Sequence, residues 1–491
     1  MNQTPQHDDS LTTTQPRVAI LGGGPGGYEA ALVAARLGAH VTIIERAGFG
    51  GSAVLTDVVP SKTLIATAEL MDIGRGATEL GIRVARDDTH NPIDALSVDL
   101  AAVNTRVNAL AAAQSADIKE RLLASGVVTV HGEGRFTSPH SISVTGCVTD
   151  DGTPTDDCTV DADIVLIATG AAPRMLPEAR PDGRRILTWT QLYHLDEMPT
   201  RLIVVGSGVT GAEFAGAYHA LGCDVVLVSS RDQVLPGEDE DAARVIDDAF
   251  RTRGMTVMSR SRASAATVVG HGSTEHVEVT LDDGQVITGS HVLMAVGSIP
   301  NTADIGADKV GLTLTERGHI QVDKVSRTNV PGVYAAGDCT GVLPLASVAA
   351  AQGRIAMSHA LGDSVSPLVL RDVAANIFTS PEIATVGWSQ RDLDDAGVRY
   401  TATTLPLPTN PRAKMMGVHE GFVKLFTRTD SGTVIGGVIV APRASELIFP
   451  VTLAVAHRLT ADMVAGAITI YPSLSGSVAE TARMSHQRAP H

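Results

Sequence analysis

The sequence predicts an α/β protein of several domains, and three observations lead to that prediction. A strand, a glycine-rich turn and a helix follow one another twice, within residues 17–45 and again within residues 201–229. The chain has 491 residues, which is too long for one hydrophobic core and suggests about three domains. Hydrophobic residues make up 44% of the chain and charged residues 19%, which is typical of globular rather than disordered proteins.

The repeated unit is a strand, a turn with the spacing GxGxxG, a helix and a second strand. The predicted strands are Arg17–Leu21, His40–Ile44, Leu202–Val205 and Asp224–Val228, and the predicted helices are Tyr28–Leu37 and Ala212–Leu221. The glycines of the two turns are Gly22, Gly24, Gly27, Gly206, Gly208 and Gly211. Glycine permits the tight turn and lets backbone approach a pyrophosphate at the positive end of the helix. Because both copies lie in a strand–helix–strand context, we predict two Rossmann-like dinucleotide-binding domains.

The two copies differ 23 positions after the first glycine of each turn, where Glu45 and Ser229 stand. Glu45 can accept hydrogen bonds from both hydroxyls of an adenosine ribose, as in FAD or NAD. Ser229 does not repel a 2′-phosphate, Ser230 can donate a hydrogen bond to one, and Arg231 can supply positive charge. The second site therefore favours NADPH, with some use of NADH. The alternative is that Arg231 is only a solvated loop residue.

Two further predicted strands end in small residues, at Ile164–Gly170 and at Val292–Gly297. Small residues let backbone pass close to a bound cofactor. Each strand is followed by a proline, Pro173 or Pro300, where a crossover between domains is expected.

Composition and cysteine usage narrow the function. The net charge is −16 and the pI about 5.4, which opposes non-specific binding to nucleic acid or anionic lipid. Residues 1–16 are polar and lack the features of a signal peptide, so we expect a disordered leader on a cytoplasmic protein with no membrane span. Cys147, Cys158, Cys223 and Cys339 form no CxxC pair, and we expect free thiols without a catalytic task and no metal site. Cys147 and Cys158 flank a turn-rich stretch and could face each other.

Seven ordered motifs resemble the flavoprotein disulfide reductases, such as dihydrolipoamide dehydrogenase, glutathione reductase and mercuric reductase. They are GGGPGG (22–27), GG…PSK (50–62), ATG (168–170), GSGVTGAEFA (206–215), YAAGD (334–338), FTSPEIATVG (378–387) and ELIFP (446–450). The resemblance implies FAD at the first site, NAD(P)H at the second and a C-terminal α+β domain that forms a homodimer. The expected boundaries are 1–16 for the leader, 17–174 and 300–365 for the FAD domain, 175–299 for the NAD(P)H domain and 366–491 for the dimerisation domain.

The resemblance also implies roles for single residues. Asp338 would bind the flavin ribityl chain, although a turn-forming aspartate is the alternative. Lys62 and Glu213 would form an ion pair beside the flavin N5, where a lysine can stabilise an anionic reduced flavin. A helix-dipole role is the alternative for Glu213. Further cofactor contacts are expected from Gly51, Thr169, Gly170, Gly297 and Ala346.

The sequence departs from that family in both motifs that carry its disulfide chemistry, one near each end of the chain. Where the family reads GGTCLNVGCIPSK, residues 50–62 have Ala53 and Val58 in place of the two cysteines. Where the family reads HPTLSE, the chain has Tyr471 for the histidine and Gly476 for the glutamate. A disulfide substrate needs a thiolate and an acid, so the sequence excludes a disulfide reductase and a lipoamide role.

The predicted function is therefore an NAD(P)H:quinone oxidoreductase, because a reduced flavin can pass two electrons to a quinone without a thiol. This sequence resembles the cysteine-less branch of the family, which has that activity. Tyr471 from the partner subunit would stack on the quinone or donate a hydrogen bond to it, unless it only fills the space of the lost histidine. The alternatives are an NAD(P)H oxidase, diaphorase or transhydrogenase, and a non-enzymatic nucleotide-sensing dimer that binds FAD. Intact Lys62 and Glu213 argue against the last of these.

Overall fold

The structure is a computed structural model that describes residues 15–83, 96–149 and 151–486. Residues 1–14 of the predicted leader lie outside the described residues. The chain forms two compact units, of which the first comprises residues 1–53, 114–171 and 300–368. The second comprises residues 54–113, 172–299 and 369–491. The domain boundaries expected from the sequence stay a prediction.

The described residues form both strands and helices. The strands are β1 (Arg17–Leu21), β2 (His40–Glu45), β3 (Val128–Ser138), β4 (Ser141–Val148), β5 (Cys158–Asp161), β6 (Ile164–Ile167), β7 (Ala171–Pro173), β8 (Ile186–Leu187), β9 (Arg201–Val205), β10 (Asp224–Val228), β11 (Thr256–Met258), β12 (Ala263–Val269), β13 (His276–Leu281), β14 (Val286–Gly289), β15 (His291–Met294), β16 (Ser298–Pro300), β17 (Val333–Ala335), β18 (Ala374–Ile377), β19 (Glu382–Gly387), β20 (Tyr400–Pro406), β21 (Phe422–Arg428) and β22 (Val434–Ala441). The helices are α1 (Pro25–Arg36), α2 (Gly51–Leu55), α3 (Val58–Arg75), α4 (Leu100–Ala124), α5 (Val209–Ala220), α6 (Glu240–Thr252), α7 (Ala346–Ala360), α8 (Gln390–Asp395), α9 (Pro411–Met415), α10 (Ala444–Leu447), α11 (Phe449–Ala456), α12 (Ala461–Gly466) and α13 (Gly476–Met484).

The first unit is built on a seven-stranded sheet in the order β17-β6-β1-β2-β3-β4-β5. The strands from β17 to β3 are parallel, and β4 and β5 extend the sheet as antiparallel neighbours. Strands β1, β2 and β6 are buried along almost their whole length, as expected of a parallel sheet covered on both faces. Their carboxyl ends meet at one edge of the sheet, which is where such folds bind ligands.

The second unit contains a parallel sheet in the order β11-β10-β9-β15-β8. The order β11-β10-β9-β15 matches β3-β2-β1-β6 of the first sheet, and helix α5 follows β9 as α1 follows β1. The edge strands differ in connection, because β8 precedes β9 in the chain and β17 follows β6. Strands β12 to β14 form a separate antiparallel sheet. The duplication predicted from the two glycine-rich turns is therefore confirmed at the level of strand order.

The C-terminal part of the second unit is an antiparallel sheet in the order β18-β19-β22-β21-β20. Helices α10, α11 and α13 pack apolar side chains against it, including Ala444, Val451 and Val478. This confirms the predicted fold class, which is two dinucleotide-binding folds followed by an α+β domain.

The predicted helices begin three residues too late. Helices α1 and α5 start at Pro25 and Val209, directly after the second glycine of each turn. The third glycine is therefore part of the first helical turn. None of the described residues belongs to a helix long and apolar enough to cross a membrane.

Candidate functional site

The first glycine-rich turn closes tightly on itself and leaves one side open. A Cβ atom at Gly22 would collide with the Ala168 carbonyl oxygen, and one at Gly27 would collide with the Gly22 carbonyl oxygen. A Cβ atom at Gly24 would meet nothing within 4 Å. Gly24 is also the N-cap of α1 and supplies no side-chain cap, so the positive end of that helix faces open space. This geometry fits an incoming pyrophosphate.

The second turn repeats this geometry. Cβ atoms at Gly206 and Gly211 would collide with the carbonyl oxygens of Ala295 and Gly206, whereas Gly208 faces open space. Gly208 is the N-cap of α5, again without a side-chain cap. In both copies, therefore, the first and third glycines close the turn and the second glycine leaves open space beside the helix start.

Glu45 is buried at the carboxyl end of β2, where it supports the first turn. Its Oε2 atom accepts a hydrogen bond from the Gly23 amide at 2.6 Å, and its Oε1 atom accepts one from the Ala47 amide at 2.7 Å. A cavity of about 470 Å³ opens beside it, lined by Arg46, Ala47, His131, Gly132, Glu133, Thr145 and Gly146. The strand β3 side of this cavity was not predicted, because His131 comes 86 residues after Glu45 in the chain.

Other predicted cofactor contacts of the first unit lie on turns of small residues. Gly51, with φ 56°, lies so close to Gly24 that its added Cβ atom would be 2.9 Å from the Gly24 Cα atom. The Thr169 hydroxyl donates to the Asn301 carbonyl at 2.8 Å, and the Asn301 side chain donates back to the Thr169 carbonyl at 2.9 Å. Gly170 follows with φ 66° and open space beside it. Thr169 therefore shapes the backbone, and the space lies at Gly170.

Asp338 and Ala346 follow the last strand of the same sheet. Asp338 begins a short 3-10 turn after β17, and burial raises the pKa of its carboxyl, while His319 opposes that shift. Ala346 is the first residue of α7, whose N-cap, Leu345, supplies no side-chain hydrogen bond. A half-buried carboxyl and an uncapped helix start are both suited to polar groups of a ligand.

Lys62 and Glu213 form the predicted ion pair within the second unit. The Lys62 Nζ atom lies 2.7 Å from Glu213 Oε2, and the two side chains are 27% and 5% exposed. The other carboxylate oxygen, Oε1, accepts a hydrogen bond from the Phe378 amide at 2.8 Å. Lys62 Nζ also lies 4.8 Å from the centre of the Phe378 ring, within cation–π range. Phe378 was not predicted as a site residue, although it begins one of the seven motifs.

The residues predicted to face a 2′-phosphate follow β10. Ser229 is fully buried, and its hydroxyl lies 2.7 Å from the Ser207 hydroxyl and accepts a hydrogen bond from the Arg231 amide at 3.1 Å. Ser230 and Arg231 are exposed. Ser229 therefore holds the loop in place, and Ser230 and Arg231 are the residues exposed to a ligand. Gly297 follows β15, which pairs with the other side of β9, and it has φ 95° and open space beside it.

The positions that replace the redox cysteines carry apolar side chains. Ala53 lies on α2 and is half-buried, and Val58 is the first residue of α3 and is 38% exposed. Cys147 and Cys158 do face each other, with 4.0 Å between the sulfur atoms, but both are free thiols. Over the described part of the chain, no group of three or more His, Cys, Asp or Glu side chains is placed to hold a metal ion.

Tyr471 lies on the segment between α12 and α13, and its side chain is 82% exposed together with Ile468 and Ile470. Among the described residues, the backbone amide and the ring that contact the Lys62–Glu213 pair both belong to Phe378, and neither belongs to the segment that carries Tyr471. Gly476 begins α13, and its amide donates to the Ser473 hydroxyl at 3.1 Å.

Comparison with known proteins agrees with this geometry. Residues 16–353 match the family model described as pyridine nucleotide-disulphide oxidoreductase, and residues 373–482 match the model of that family's dimerisation domain. The chain is 52% identical over 476 residues to a protein of Mycobacterium tuberculosis named NAD(P)H dehydrogenase (quinone), covering 95% of this chain and 93% of the relative. It is 31% identical to a dihydrolipoyl dehydrogenase of Chlorobaculum parvum, covering 96% and 97%. The crystal structure of LpdA from Mycobacterium tuberculosis superposes with a TM-score of 0.88 at 50% identity, covering 96% of this chain and 100% of that one.

Proposed function

Because the chain belongs to the pyridine nucleotide-disulphide oxidoreductase family, we propose that it is an FAD-dependent NAD(P)H:quinone oxidoreductase without a redox disulfide. One observation carries the proposal. The Lys62–Glu213 pair is intact at 2.7 Å, whereas Ala53 and Val58 occupy the positions of the family's cysteines. The relative at 52% identity over 476 residues, named NAD(P)H dehydrogenase (quinone), supports the same activity.

FAD, when bound, supplies the redox chemistry, since it takes hydride from NAD(P)H and passes two electrons to the acceptor. The residues of the chain bind the cofactor and orient the charged groups around it. The open side of Gly24 and the free end of α1 receive a pyrophosphate, and Glu45 can hold a ribose beside them. Glu213 keeps the Lys62 ammonium in one place, because its second oxygen is fixed by the Phe378 amide. A positioned ammonium can stabilise negative charge that develops on the reacting ring.

The electron acceptor must be one that needs no protein thiol. A quinone meets that condition, because it accepts two electrons and two protons without a covalent protein intermediate. We propose that Tyr471 of the second subunit stacks on the quinone ring or donates a hydrogen bond to its oxygen. Its exposure on a segment with Ile468 and Ile470 supports a role at an interface between subunits. A homodimer is expected because residues 373–482 match the family's dimerisation domain.

The preferred nucleotide is proposed to be NADPH, with NADH also used. An acidic residue at the end of β10 would repel a 2′-phosphate, and Ser229 removes that repulsion. Ser229 is turned inward toward Ser207, so Ser230 and Arg231 are the groups offered to the phosphate. A cytoplasmic location stays a prediction from the polar first sixteen residues.

An anaerobic titration tests the proposal. NADPH is added to the flavin-loaded protein while the flavin absorbance is followed, and menadione is then added. We expect the absorbance to be lost and then restored, with no long-wavelength charge-transfer band, because no thiolate lies on the flavin.

Each alternative has its own outcome in that experiment. A flavin that NADPH does not reduce would favour the nucleotide-sensing dimer. A reduced flavin that oxygen or a second nicotinamide restores, but menadione does not, would favour an oxidase, diaphorase or transhydrogenase.

A further inference from the structure

Arg260 follows β11 and has a backbone conformation that is rare for its residue type. Its φ of 53° lies in the left-handed region, which favours glycine. Such a conformation persists in a non-glycine residue only when the surrounding structure imposes it, and it is often associated with function. Here the surroundings are the loop after β10, because the Arg260 amide donates to the Arg231 carbonyl at 2.9 Å.

The end of β11 is held to the end of β10 at two further points. The Ser229 amide donates to the Met258 carbonyl at 2.8 Å, and the Ser261 amide donates to the Ser229 carbonyl at 2.8 Å. These bonds place Arg260 beside the loop that carries Ser230 and Arg231. Two arginines that are 29 positions apart in sequence therefore share one edge of the sheet.

The Arg260 side chain has only a weak structural role. Its guanidinium pairs with the Asp232 carboxylate, but the two side chains are 80% and 75% exposed. Ion pairs at that exposure contribute little to folding. Folding stability therefore does not explain the exposed cation at this position.

We propose that Arg260 is a second cation for the 2′-phosphate of NADPH, beside Ser230 and Arg231, and that Asp232 is its internal counter-ion. This inference rests on the proposed NAD(P)H site. The 2′-phosphate carries close to two negative charges near pH 7 and accepts paired hydrogen bonds from a guanidinium. When it binds, it takes the place of the Asp232 carboxylate on Arg260. With NADH, which has no 2′-phosphate, Arg260 stays paired with Asp232, so both nucleotides are tolerated.

The two residues should have opposite effects on affinity. Removing the Arg260 side chain should weaken binding of a 2′-phosphate about tenfold or more, as expected for a charge-assisted hydrogen bond. Asp232→Asn frees Arg260 and removes a repelling charge, so it should tighten binding by up to about fivefold, the size of an exposed ion pair. Neither change should alter binding of a nucleotide without the 2′-phosphate.

Calorimetric titration of the FAD-loaded protein measures this without turnover. The probes are adenosine 2′,5′-bisphosphate and adenosine 5′-monophosphate, which differ only in the 2′-phosphate. Arg260→Gly removes the side chain and suits the left-handed backbone, and Arg260→Lys keeps the charge without the paired donors. Arg262→Ala is the matched control, since Arg262 is 77% exposed and faces Asp282 at 3.9 Å.

The proposal expects Arg260→Gly to lower the ratio of bisphosphate to monophosphate affinity about tenfold, Arg260→Lys to lower it less and Asp232→Asn to raise it. It is overturned if Arg260→Gly changes that ratio no more than Arg262→Ala does. A wild-type protein with equal affinity for both probes would also overturn it, together with the NADPH preference. Quinone reduction with NADH, measured in parallel, tells that outcome apart from a failure of the proposed enzyme activity.

Discussion

Replacing Glu213 by glutamine tests the group on which the proposed chemistry depends. The Glu213 carboxylate accepts from two donors, Lys62 Nζ at 2.7 Å and the Phe378 amide at 2.8 Å. A glutamine has a single acceptor oxygen, so one donor loses its partner. A lost charge-assisted hydrogen bond costs about 1.5–3 kcal/mol. Because Lys62 is 27% exposed and water solvates part of its charge, we expect Glu213→Gln to destabilise the protein by about 1–2 kcal/mol.

The effect on rate should exceed the effect on stability. An ammonium released from its carboxylate is displaced or mobile, and a misplacement of about 1 Å can lower a rate on the order of a hundredfold. We therefore expect NADPH to reduce the flavin about 10- to 100-fold more slowly in Glu213→Gln, as measured by anaerobic stopped-flow absorbance. Glu382→Gln is the matched control, because Glu382 is also buried and its Oε2 accepts the Ser445 amide at 2.8 Å without a lysine partner.

A double-variant cycle shows whether the two residues act as a pair. If they do, adding Lys62→Met to Glu213→Gln should slow reduction little further, since the partner is already lost. The reasoning is refuted if Glu213→Gln is reduced at the wild-type rate, or if Glu382→Gln slows reduction to the same extent.

Three further predictions concern stability and assembly. Burial and Arg185 lower the pKa of His291 from 6.5 to about 4. Between these two pH values His291 is neutral in the folded state and protonated in the unfolded state. The stability that neutral His291 contributes is complete above about pH 6.5 and falls toward pH 4. Replacing it in His291→Gln should therefore reduce the loss of unfolding free energy between pH 7 and pH 5 by about 1 kcal/mol, after allowance for partial exposure, as measured by urea titration. Lys424→Met should cost about 3 kcal/mol in the same assay, because Lys424 is 3% exposed and its loss leaves the buried Asp239 carboxylate with the Asp241 and Ala242 amides but without its cation; a change below 1 kcal/mol would contradict this. Ile470→Asp should shift sedimentation toward a monomer, and a dimer as tight as the wild type would count against the proposed interface.

The sequence predicted the parts of the site that local chain geometry determines. A strand followed by GxGxxG forms the same turn wherever it occurs, so Gly24 and Gly208 have the same open side in both copies. The bounds of β10 agree with prediction because the buried apolar residues 225–228 lie between two polar residues, Asp224 and Ser229. The predicted starts of the two helices were wrong. The backbone becomes helical directly after the second glycine of each turn, whereas the helical pattern of apolar residues begins only after the third.

Contacts between distant segments could not be predicted in this way. Phe378 meets Glu213 across 165 positions, and nothing in either segment indicates which backbone amide binds the second carboxylate oxygen. Ser229 was expected not to repel a 2′-phosphate, and no local pattern indicated that its hydroxyl would pair with Ser207 across the turn. Arg260 carries no sequence signal, because its relevance depends on the pairing of β10 with β11.

The C-terminal segment stays ordered although Tyr471 and Gly476 stand where the family has histidine and glutamate. Ser473 holds the turn together, since its hydroxyl donates to the Ile470 carbonyl at 2.6 Å and accepts from the Gly476 amide at 3.1 Å. Gly476 therefore remains an ordered start of α13 although it lacks the family's glutamate side chain. The same turn fixes the backbone on both sides of Tyr471 and leaves its ring outside the fold, where a second subunit or an acceptor can meet it. An exposed aromatic ring on an ordered turn supports the proposed role of Tyr471 on the acceptor side of the reaction.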